Sequence, residues 1–598
     1  MNKTGNNQCI LQGIGVSPGV VIGRAFLLDR AKLKPVMEKI PSEQVQAEIE
    51  HYLHAIAAAR QELLDGHEKL VETAAENNGK QKHLYLFDVH LMMMDDKMLT
   101  DDTVKLIQEK KISAEWALSL NVEKIKKIFN RMDDPYMRER QADITHVAER
   151  ILRQLMKSDY DSIDKISKNV ILIAHDLSPA DTMQLNLNKV KAFVTDLGGR
   201  TSHTAIIARS MEIPAVVGLE RATEMINGGN QLIVDAIDGR IIVSPTAEQI
   251  RTYREKAEKH RFFQQQLIQN RHLSPLTKDG YTIELAANIE NPEEAESAVS
   301  HGAGAVGLYR TEFIYLNRSD LPSEEEHYLT YKRALQNASG QEITIRTLDL
   351  GYDKLSSHNF HEDTINPAMG LRGIRLCFEQ KAIFCQQLRG ILRASHHGKV
   401  KILFPMISGV RDIRQAIGIL AEVKEELRHQ GIPFDENIPV GIMIEVPSAA
   451  VIADLLAPEV DYFSVGTNDL IQYTLAVDRV NEHVSCFYEP LHPSILRLLQ
   501  NTIEAAHGNG IPVSVCGEMA GEPLYTLVLM GLGLDQLSMN PLSIPYIKKI
   551  IRNSTYKEAR EIVTKCLTFK VATEVEEYVA EQMRQRFPDD LLMNLQNN

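Results

Sequence analysis

The spacing of apolar positions changes several times along this chain. Residues 1–12 are expected to be a weakly ordered extension, and apolar runs broken by Gly and Pro over 11–28 predict one or two strands. From Ser42 to about Lys157, apolar residues recur at helical spacing and Gly is scarce, which predicts a subdomain of about four helices. Short apolar runs then predict the strands of an α/β subdomain at 170–174, 192–194, 215–217 and 231–234.

A mostly polar segment follows these strands. Ser244-Pro245 is typical of a helix start, with Ser as the cap and Pro at the first helical position. The helical pattern continues to Arg271 and stops before Ser274-Pro275. Because this helix is long and polar on most faces, we expect it to be a spacer between domains.

Strand-like and helical segments alternate in the rest of the chain. Eight such repeats over ~300 residues predict a (β/α)8 TIM barrel, with a doubly wound sheet as the alternative. A barrel would gather its chemistry at the C-terminal ends of the strands. The predicted strands are 283–289, 305–309, 343–348, 400–404, 440–444, 462–465, 512–515 and 536–539.

These changes of pattern predict an α/β multidomain fold. An α/β domain would be interrupted by an inserted helical subdomain, and a helical linker would join it to the barrel. The predicted boundaries are 1–34 with 160–244 for the α/β domain, 35–159 for the helical subdomain, 245–274 for the linker and 275–598 for the barrel.

Composition and charge narrow the class of protein. The 598 residues are 44% hydrophobic and 24% charged, as in ordinary soluble globular proteins. The net charge of −14 argues against a general binder of nucleic acids or anionic membranes. Six scattered cysteines without a C-x-x-C pair indicate reduced thiols. No apolar run approaches the ~20 residues of a membrane span, and no signal-peptide pattern opens the chain, so a cytoplasmic protein is expected.

The run GGRTSHT at 198–204 follows a predicted strand and leads into an amphipathic segment that is typical of a helix. Glycines allow close backbone approach, and the free N–H groups of a helix start favour an anion. A neutral imidazole such as that of His203 is a competent nucleophile for a phosphoryl group. A polar helix cap with an incidental His is an equally open interpretation, because short Gly-rich motifs often match by chance.

Charged side chains follow several of the predicted barrel strands. Glu445 and Asp469 would supply the hard oxygen ligands that Mg²⁺ prefers, and Cys516 would be mostly protonated and able to donate a proton. Taken singly, each has an ordinary interpretation as an ion pair, a cap or a core residue. Converging guanidinium groups suit phosphate and carboxylate together, and four arginines are candidates: Arg310, Arg346, Arg372 and Arg479.

A methionine-rich run lies inside the predicted helical subdomain. Leu and Met residues at helical spacing are usually core residues. A Met cluster flanked by acidic residues is also typical of an adaptable protein-docking surface. The candidate docking residues are His90, Met92, Met93, Met94, Asp95 and Asp96.

Residues 195–218, TDLGGRTSHTAIIARSMEIPAVVG, resemble the phosphohistidine segment of the phosphoenolpyruvate-utilising enzymes. The chain is most similar to the Enzyme I family of the sugar phosphotransferase system, from about Gly13 to the C-terminal helices. The resemblance implies that His203 of the α/β domain is phosphorylated and that the helical subdomain receives the phosphocarrier protein HPr. It also implies that the barrel binds phosphoenolpyruvate and forms a homodimer.

The resemblance also implies roles for the residues at the strand ends. Mg²⁺ would be held by Glu445 and Asp469, and Cys516 would donate the proton to enolpyruvate. The residues implied in phosphoenolpyruvate binding are Arg310, Arg346, Asn468, Asp469 and Arg479, with Arg372 among the converging arginines.

Some positions differ from the family pattern or have a second interpretation. Tyr352 and Val480 stand where the family more often has Gly, and Tyr352 puts the role of Lys354 in doubt. Thr182 falls where the family has a threonine that contacts the active His, although it also suits a helix cap.

The implied reaction passes a phosphoryl group from phosphoenolpyruvate through His203 to a His of HPr and releases pyruvate, the first step of sugar uptake. Because His203 and the barrel lie in different predicted domains, hinge motion around the helical spacer is expected. A pyruvate phosphate dikinase or phosphoenolpyruvate synthase would need an ATP-binding domain, for which no Gly-rich loop is found. A regulatory protein that only binds is disfavoured by His203, Cys516 and both metal ligands. The lack of an N-terminal sensor domain favours the sugar branch over a nitrogen-type branch.

Overall fold

A computed structural model describes most of the chain in two compact units, one ending at Phe262 and one beginning at Phe263. The described residues are 9–28, 37–74, 91, 93–94, 97–129, 135–156, 169–177, 189–199, 204–205, 208, 213–315, 320–351, 367–479, 481 and 483–587.

The first unit contains an eight-stranded sheet in the order β1-β8-β7-β3-β4-β5-β6-β2. Its inner strands β3 to β6 run parallel and are largely apolar, as expected for strands covered on both faces. The strands are β1 Cys9–Gln12, β2 Ile14–Ser17, β3 Val20–Leu28, β4 Val170–Ala174, β5 Val190–Thr195, β6 Ala215–Val217, β7 Gln231–Asp235 and β8 Arg240–Val243.

The first two strands at one side of the sheet, β1 and β8, differ from the sequence-based expectation. Residues 9–12, expected to be weakly ordered, form β1 and pair with β8, which was not predicted. The Asp238-Gly239 pair is a strong hairpin signal between β7 and β8, and Gly239 has a φ of 65°. A Cβ at Gly239 would lie 2.3 Å from the Gly13 carbonyl oxygen, so this turn accepts only glycine.

The inserted helical subdomain has the predicted architecture. Its helices share a core in which Tyr52, Ile107, Leu118 and Ile151 have no exposed surface. The helices are α1 Val45–Ala74, α2 Lys97–Lys110, α3 Ala114–Phe129 and α4 Pro135–Met156, and a short α5, Ala222–Met225, lies beyond it in the sheet subdomain.

The polar spacer is a helix, α6 Ala247–Gln269, that starts two residues later than Pro245. Thr246 is the cap, because its Oγ1 accepts from the Gln249 N–H and the Gln249 side chain accepts from the Thr246 N–H. This reciprocal pattern is a capping box. Lys256 joins the helix to the sheet hairpin through Asp235 at 2.5 Å and Asp238 at 2.8 Å.

The second unit is a closed barrel of eight parallel strands, which confirms the TIM barrel and rules out the doubly wound alternative. Every predicted strand is present with bounds within two residues of the expected ones. The strands are β9 Glu284–Ile289, β10 Ala305–Tyr309, β11 Ile343–Arg346, β12 Val400–Phe404, β13 Val440–Ile444, β14 Tyr462–Val465, β15 Val513–Val515 and β16 Gln536–Met539.

Helices follow the barrel strands and cover their outer faces. They are α7 Glu294–Ser300, α8 Glu324–Asn337, α9 Ile374–Glu379, α10 Lys381–Ser395, α11 Val410–His429, α12 Pro447–Val451, α13 Ala453–Leu456, α14 Thr467–Leu475, α15 Pro493–Gly508, α16 Thr526–Leu532, α17 Ile544–Asn553, α18 Tyr556–Cys566 and α19 Ala572–Arg586. Among the described helices, none has both the length and the hydropathy needed to cross a membrane.

Candidate active site

The barrel strands end in charged and reactive side chains. Arg346 is the last residue of β11, Arg310 follows β10, Glu445 follows β13 and Cys516 follows β15. Because all eight strands run parallel in a closed barrel, these four residues lie at the same end of it. This end, the barrel mouth, is the candidate active site.

Arg346 is buried and paired with two carboxylates. Its Nη1 lies 2.9 Å from Asp349 Oδ2, and its Nη2 lies 3.0 Å from Glu312 Oε1. Burial alone would lower the pKa of this guanidinium, but the negative charges of Glu312 and Asp349 more than offset burial and raise it. Its Nε is buried and has no hydrogen-bond partner within the described part of the chain. Arg346 therefore keeps a buried donor available for a ligand.

Arg372, in the loop before α9, joins two loops of the mouth. It donates to Asp349 at 3.0 and 3.2 Å, to Asp469 at 3.2 Å and to the Tyr473 hydroxyl at 3.1 Å. Burial opposes its charge, and the charges of Asp349 and Asp469 raise its pKa in compensation. Arg372 is thus held in its charged form at the mouth.

Three carboxylates meet beside these arginines. One oxygen of each of Asp349, Glu445 and Asp469 lies within 4.8 Å of the others, so together they can hold a metal ion. Burial is the main cause that raises the pKa of Glu445 well above its ordinary value, and the charges of Asp349 and Asp469 add to it. The arrangement fits a divalent cation with hard oxygen ligands, since a cation would offset this concentrated negative charge.

Because Glu445 lies at the end of a barrel strand, the sequence predicts that it faces solvent, and the structure shows that this prediction is wrong. The side chain is only 1% exposed, and its Oε1 accepts a hydrogen bond from the Met406 N–H at 2.6 Å. The loop after β14 also lies close to this carboxylate: a Cβ at Gly466 would be only 2.9 Å from Glu445 Oε2. The loops that follow the adjacent strands therefore cover this carboxylate.

Cys516 is a buried thiol at the base of the mouth. Ser464 Oγ donates to its sulfur at 3.2 Å, and the thiol lies 3.5 Å from the Val465 carbonyl oxygen. Burial raises its pKa, while the Ser464 hydrogen bond and the nearby charge of Arg346 act in the opposite direction. The thiol is therefore protonated at neutral pH and can act as an acid.

A second polar group lies on the loops after β14 and β15. Arg479 pairs with Glu518 at 2.6 Å. Asn468 Nδ2 donates to the same carboxylate at 3.3 Å, and its Oδ1 accepts from the Glu518 N–H at 2.8 Å. Glu518, which follows β15, therefore contacts both Arg479 and Asn468, which lie in the connection after β14.

The Gly-Gly loop of the first unit begins at a buried, hydrogen-bonded aspartate. Asp196 is 2% exposed, pairs with His175 Nδ1 at 3.1 Å and accepts from both the N–H and the hydroxyl of Thr223. Gly198 follows with a φ of 110°, which favours glycine. Thr204 and Ala205 are helical and buried, in agreement with the helix predicted after the loop. His203 lies outside the described residues.

Comparison with known proteins decides the family. Three family models of the PEP-utilising enzymes match the chain. The N-terminal model matches residues 12–140, the mobile-domain model residues 166–239 and the PEP-binding-domain model residues 264–556. The phosphoenolpyruvate-protein phosphotransferase of Bacillus subtilis is 42% identical over 96% of this chain and 100% of its own length. Those of Bacillus sp. (strain S) and Haemophilus influenzae are 42% and 39% identical, over 95% and 96% of this chain and 97% and 99% of their own lengths.

This chain belongs to the phosphoenolpyruvate-protein phosphotransferase family. It is accordingly an enzyme of the PEP-utilising class, which confirms the resemblance and the reaction class inferred from the sequence.

In this family member, the structure brings most of the predicted barrel residues together. Arg346, Arg372, Glu445 and Asp469 share one network of charges around Asp349. Arg310 pairs with Glu290 at 3.2 Å, and its positive charge also acts on Cys516.

Sequence reasoning missed three acidic residues of this site: Asp349, Glu312 and Glu518. Each of them lies three residues beyond a strand end, where a barrel loop begins. That position was the available signal, since strand-end loops of a barrel hold its functional groups. Their pairing with arginines from other loops depends on the tertiary structure.

The predicted docking run is only partly described. Met94 is fully buried in the core of the helical subdomain, so its side chain forms no part of a docking surface. Met93 is half-buried against the same core. The other four predicted docking residues lie outside the described residues: His90, Met92, Asp95 and Asp96. The same holds for four further positions singled out in the sequence: Thr182, Tyr352, Lys354 and Val480.

Proposed function

We propose that this enzyme transfers the phosphoryl group of phosphoenolpyruvate to its own His203 and then to a histidine of the phosphocarrier protein HPr. Pyruvate is the second product, and the reaction is the first step of phosphoenolpyruvate-dependent sugar uptake. The barrel mouth binds the substrate, and the α/β domain of residues 1–34 and 160–244 contains the phosphorylated histidine.

The observation on which this proposal rests is the pairing of buried arginines with a carboxylate cluster at one barrel mouth. Phosphoenolpyruvate presents a phosphate and a carboxylate, and guanidinium groups bind both in bidentate fashion. Arg346 has a buried Nε and Thr467 a buried hydroxyl, neither with a partner among the described residues. Such groups are costly unless a ligand satisfies them. The substrate-binding residues are Arg310, Arg346, Arg372, Asn468, Asp469 and Arg479.

The metal in this proposal is Mg²⁺, held by Glu445 and Asp469 with Asp349 as a third carboxylate. All three offer oxygen ligands close enough together for one cation. When bound, Mg²⁺ supplies positive charge that stabilises the transferring phosphoryl group. Arg372, which now pairs with two of these carboxylates, would turn part of its hydrogen bonding towards the substrate phosphate.

The chemistry divides between the arginines, His203 and Cys516. The bond between phosphorus and the enol oxygen breaks while a bond forms between phosphorus and an imidazole nitrogen of His203. The departing enolate is stabilised by the arginine charges and takes a proton on its terminal carbon from the Cys516 thiol, which gives pyruvate. The phosphoryl group then passes from His203 to the histidine of HPr.

The partner docks on the helical subdomain of residues 35–159 in this proposal. With Met94 in the core, the proposed surface comprises the Met-rich run and its acidic flank: His90, Met92, Met93, Asp95 and Asp96. We also propose a cytoplasmic homodimer that associates through the barrel of residues 275–598, with residues 245–274 as the linker on which the domains hinge.

Labelled phosphoenolpyruvate with Mg²⁺ tests the first transfer. The full chain should become an acid-labile, base-stable phosphoprotein and release pyruvate, and His203→Ala should abolish the label while phosphoenolpyruvate still binds. His429→Ala is a matched control, because this histidine is exposed on α11. Label on His203→Ala would contradict the assignment. ATP-dependent labelling would indicate a dikinase or synthase, and binding without labelling would indicate a regulatory protein.

A further inference from the structure

The helical subdomain contains a second group of metal-ligand side chains, away from the barrel. Glu48 and His51 lie on α1, and Glu115 lies at the start of α3. One ligand atom from each of the three lies within 4.8 Å of the others. The proposed phosphotransfer chemistry uses none of these residues.

The backbone arrangement explains why these side chains meet. Glu48 and His51 are three residues apart on one helix, so they lie on the same face. Glu48 Oε1 accepts a hydrogen bond from the Ala114 N–H at 2.7 Å, which joins α1 to the first residue of α3. This bond occupies one carboxylate oxygen of Glu48 and leaves the other available. It also places Glu115, the next residue, beside the pair.

Glu115 is the unusual member of the group. The residue is 8% exposed, and the hydrogen bond that the described residues make to it goes to its backbone, from the Ser119 hydroxyl to its carbonyl oxygen at 2.8 Å. The start of a helix favours a negative charge, and a cation beside Glu48 and His51 would give this carboxylate a direct partner.

We propose that Glu48, His51 and Glu115 bind a divalent transition metal of the Zn²⁺ type and thereby link α1 to α3. An imidazole nitrogen with two carboxylates suits Zn²⁺, whereas Mg²⁺ prefers oxygen ligands alone. Three protein ligands leave a fourth position for water, as in open zinc sites. The site strengthens the helical subdomain and is independent of the proposed phosphotransfer.

Cobalt spectroscopy of the full chain tests the site. The protein is stripped with EDTA and titrated with Co²⁺ in excess Mg²⁺, so that the all-oxygen cluster of the barrel is occupied by Mg²⁺. We expect the visible absorption of a low-coordinate Co²⁺ site with one ion per chain, which Zn²⁺ then abolishes. Zn²⁺ should also raise the Tm of the stripped protein.

His51→Asn should weaken Co²⁺ binding by more than ~100-fold. Mutating a residue that only hydrogen-bonds a metal ligand costs ~10–100-fold in affinity, and His51 is itself a ligand in this proposal. His54→Asn is the matched control on the same helix, with an exposed imidazole outside the group, and should bind as the native chain does. Glu115→Gln should also lose Co²⁺ binding. If circular dichroism shows that His51→Asn is misfolded, the Glu115→Gln variant provides the test instead. A native chain without the Co²⁺ signal, or variants that keep it at native affinity, would overturn the proposal.

Discussion

At the scale of single residues, Glu445 is the side chain whose surroundings most oppose its charge. It is 1% exposed, and burial with two neighbouring carboxylates raises its pKa. Arg346 and Arg372 oppose this effect, so the carboxylate depends on a balance of buried charges. Groups of this kind are concentrated at functional sites, where strong local fields are useful.

Glu445→Gln keeps the side-chain shape and an oxygen that accepts from the Met406 N–H, and it removes only the charge. We expect Mg²⁺-dependent labelling of the protein to fall by about 10²-fold or more, the scale of a lost electrostatic contact in a site. The free energy of unfolding should not fall, because a buried charge is removed. Labelling rates across a Mg²⁺ titration and denaturant unfolding measure the two effects. Native labelling at limiting Mg²⁺ would mean that the metal does not contact Glu445.

Cys516→Ala removes the proposed proton donor from the base of the mouth. Because burial keeps this thiol protonated, its loss should slow pyruvate formation by about 10²–10⁴-fold, the usual contribution of a general acid. Phosphoenolpyruvate affinity should change much less, since the arginine and carboxylate network stays in place. Pyruvate assays with calorimetric titration separate the two quantities. Cys566→Ala, a buried thiol on α18, is the control, and an equal loss of rate in both variants would reduce Cys516 to a packing residue.

At the scale of elements, a buried polar network fixes the loop that presents the barrel arginines. Gln387 on α10 is fully buried and accepts from the Leu348 N–H at 2.9 Å. Its amide donates to Thr311 Oγ1 at 3.0 Å and to the Tyr331 hydroxyl at 3.2 Å. Thr311 in turn donates to the Arg346 carbonyl oxygen at 2.9 Å. Helix α10 thereby sets the position of the loop after β11.

Gln387→Leu should damage both the fold and the site. It leaves the Leu348 N–H and other buried groups without partners, at a cost of about 1–3 kcal/mol for each. Phosphoenolpyruvate binding should weaken because Arg346 loses its support. Gln500→Leu, at a half-buried glutamine on α15 whose amide donates to Glu504, is the control and should leave both unchanged. Denaturant unfolding measures the stability, and calorimetry measures the affinity for phosphoenolpyruvate. A Gln387→Leu variant with native stability and affinity would show that α10 does not position the loop.

The elements also show what the sequence could predict. Strands β10, β12, β13, β14 and β16 have the predicted bounds, because a buried parallel strand is a continuous apolar run that ends where polar residues begin. The burial of Glu445 could not be predicted, since loops distant in sequence cover it. The need for glycine at position 517 could not be predicted either. A Cβ there would lie 1.9 Å from Thr467 Oγ1, and this contact depends on the packing of two neighbouring strand ends.

At the scale of the whole molecule, the two units have separate cores and share one helix. Helix α6 runs across the division at Phe262, and Lys256 fixes its earlier part to the sheet of the first unit. The segment after the helix is held in the second unit, where Lys548 donates to the Arg271 and Gly302 carbonyl oxygens. Each unit therefore has its own attachment to this connection, as expected of domains that fold as units.

The two units should be separable, and this predicts where the carrier binds. A fragment of residues 1–262 keeps the sheet, the helical subdomain and the contacts of Lys256 with Asp235 and Asp238, so it should fold alone. It should bind HPr with about the affinity of the full chain.

In the full chain, reversing the charge of Asp95 and Asp96 should slow association in a salt-sensitive manner, because rim charges act mainly on the association rate. Labelling of His203 from phosphoenolpyruvate should not change, since that step depends on the barrel mouth. Calorimetry on the fragment and stopped-flow binding at two salt concentrations make the measurements, with Asp101→Lys on α2 as the matched charge control. A folded fragment that does not bind HPr would move the docking surface elsewhere in the protein.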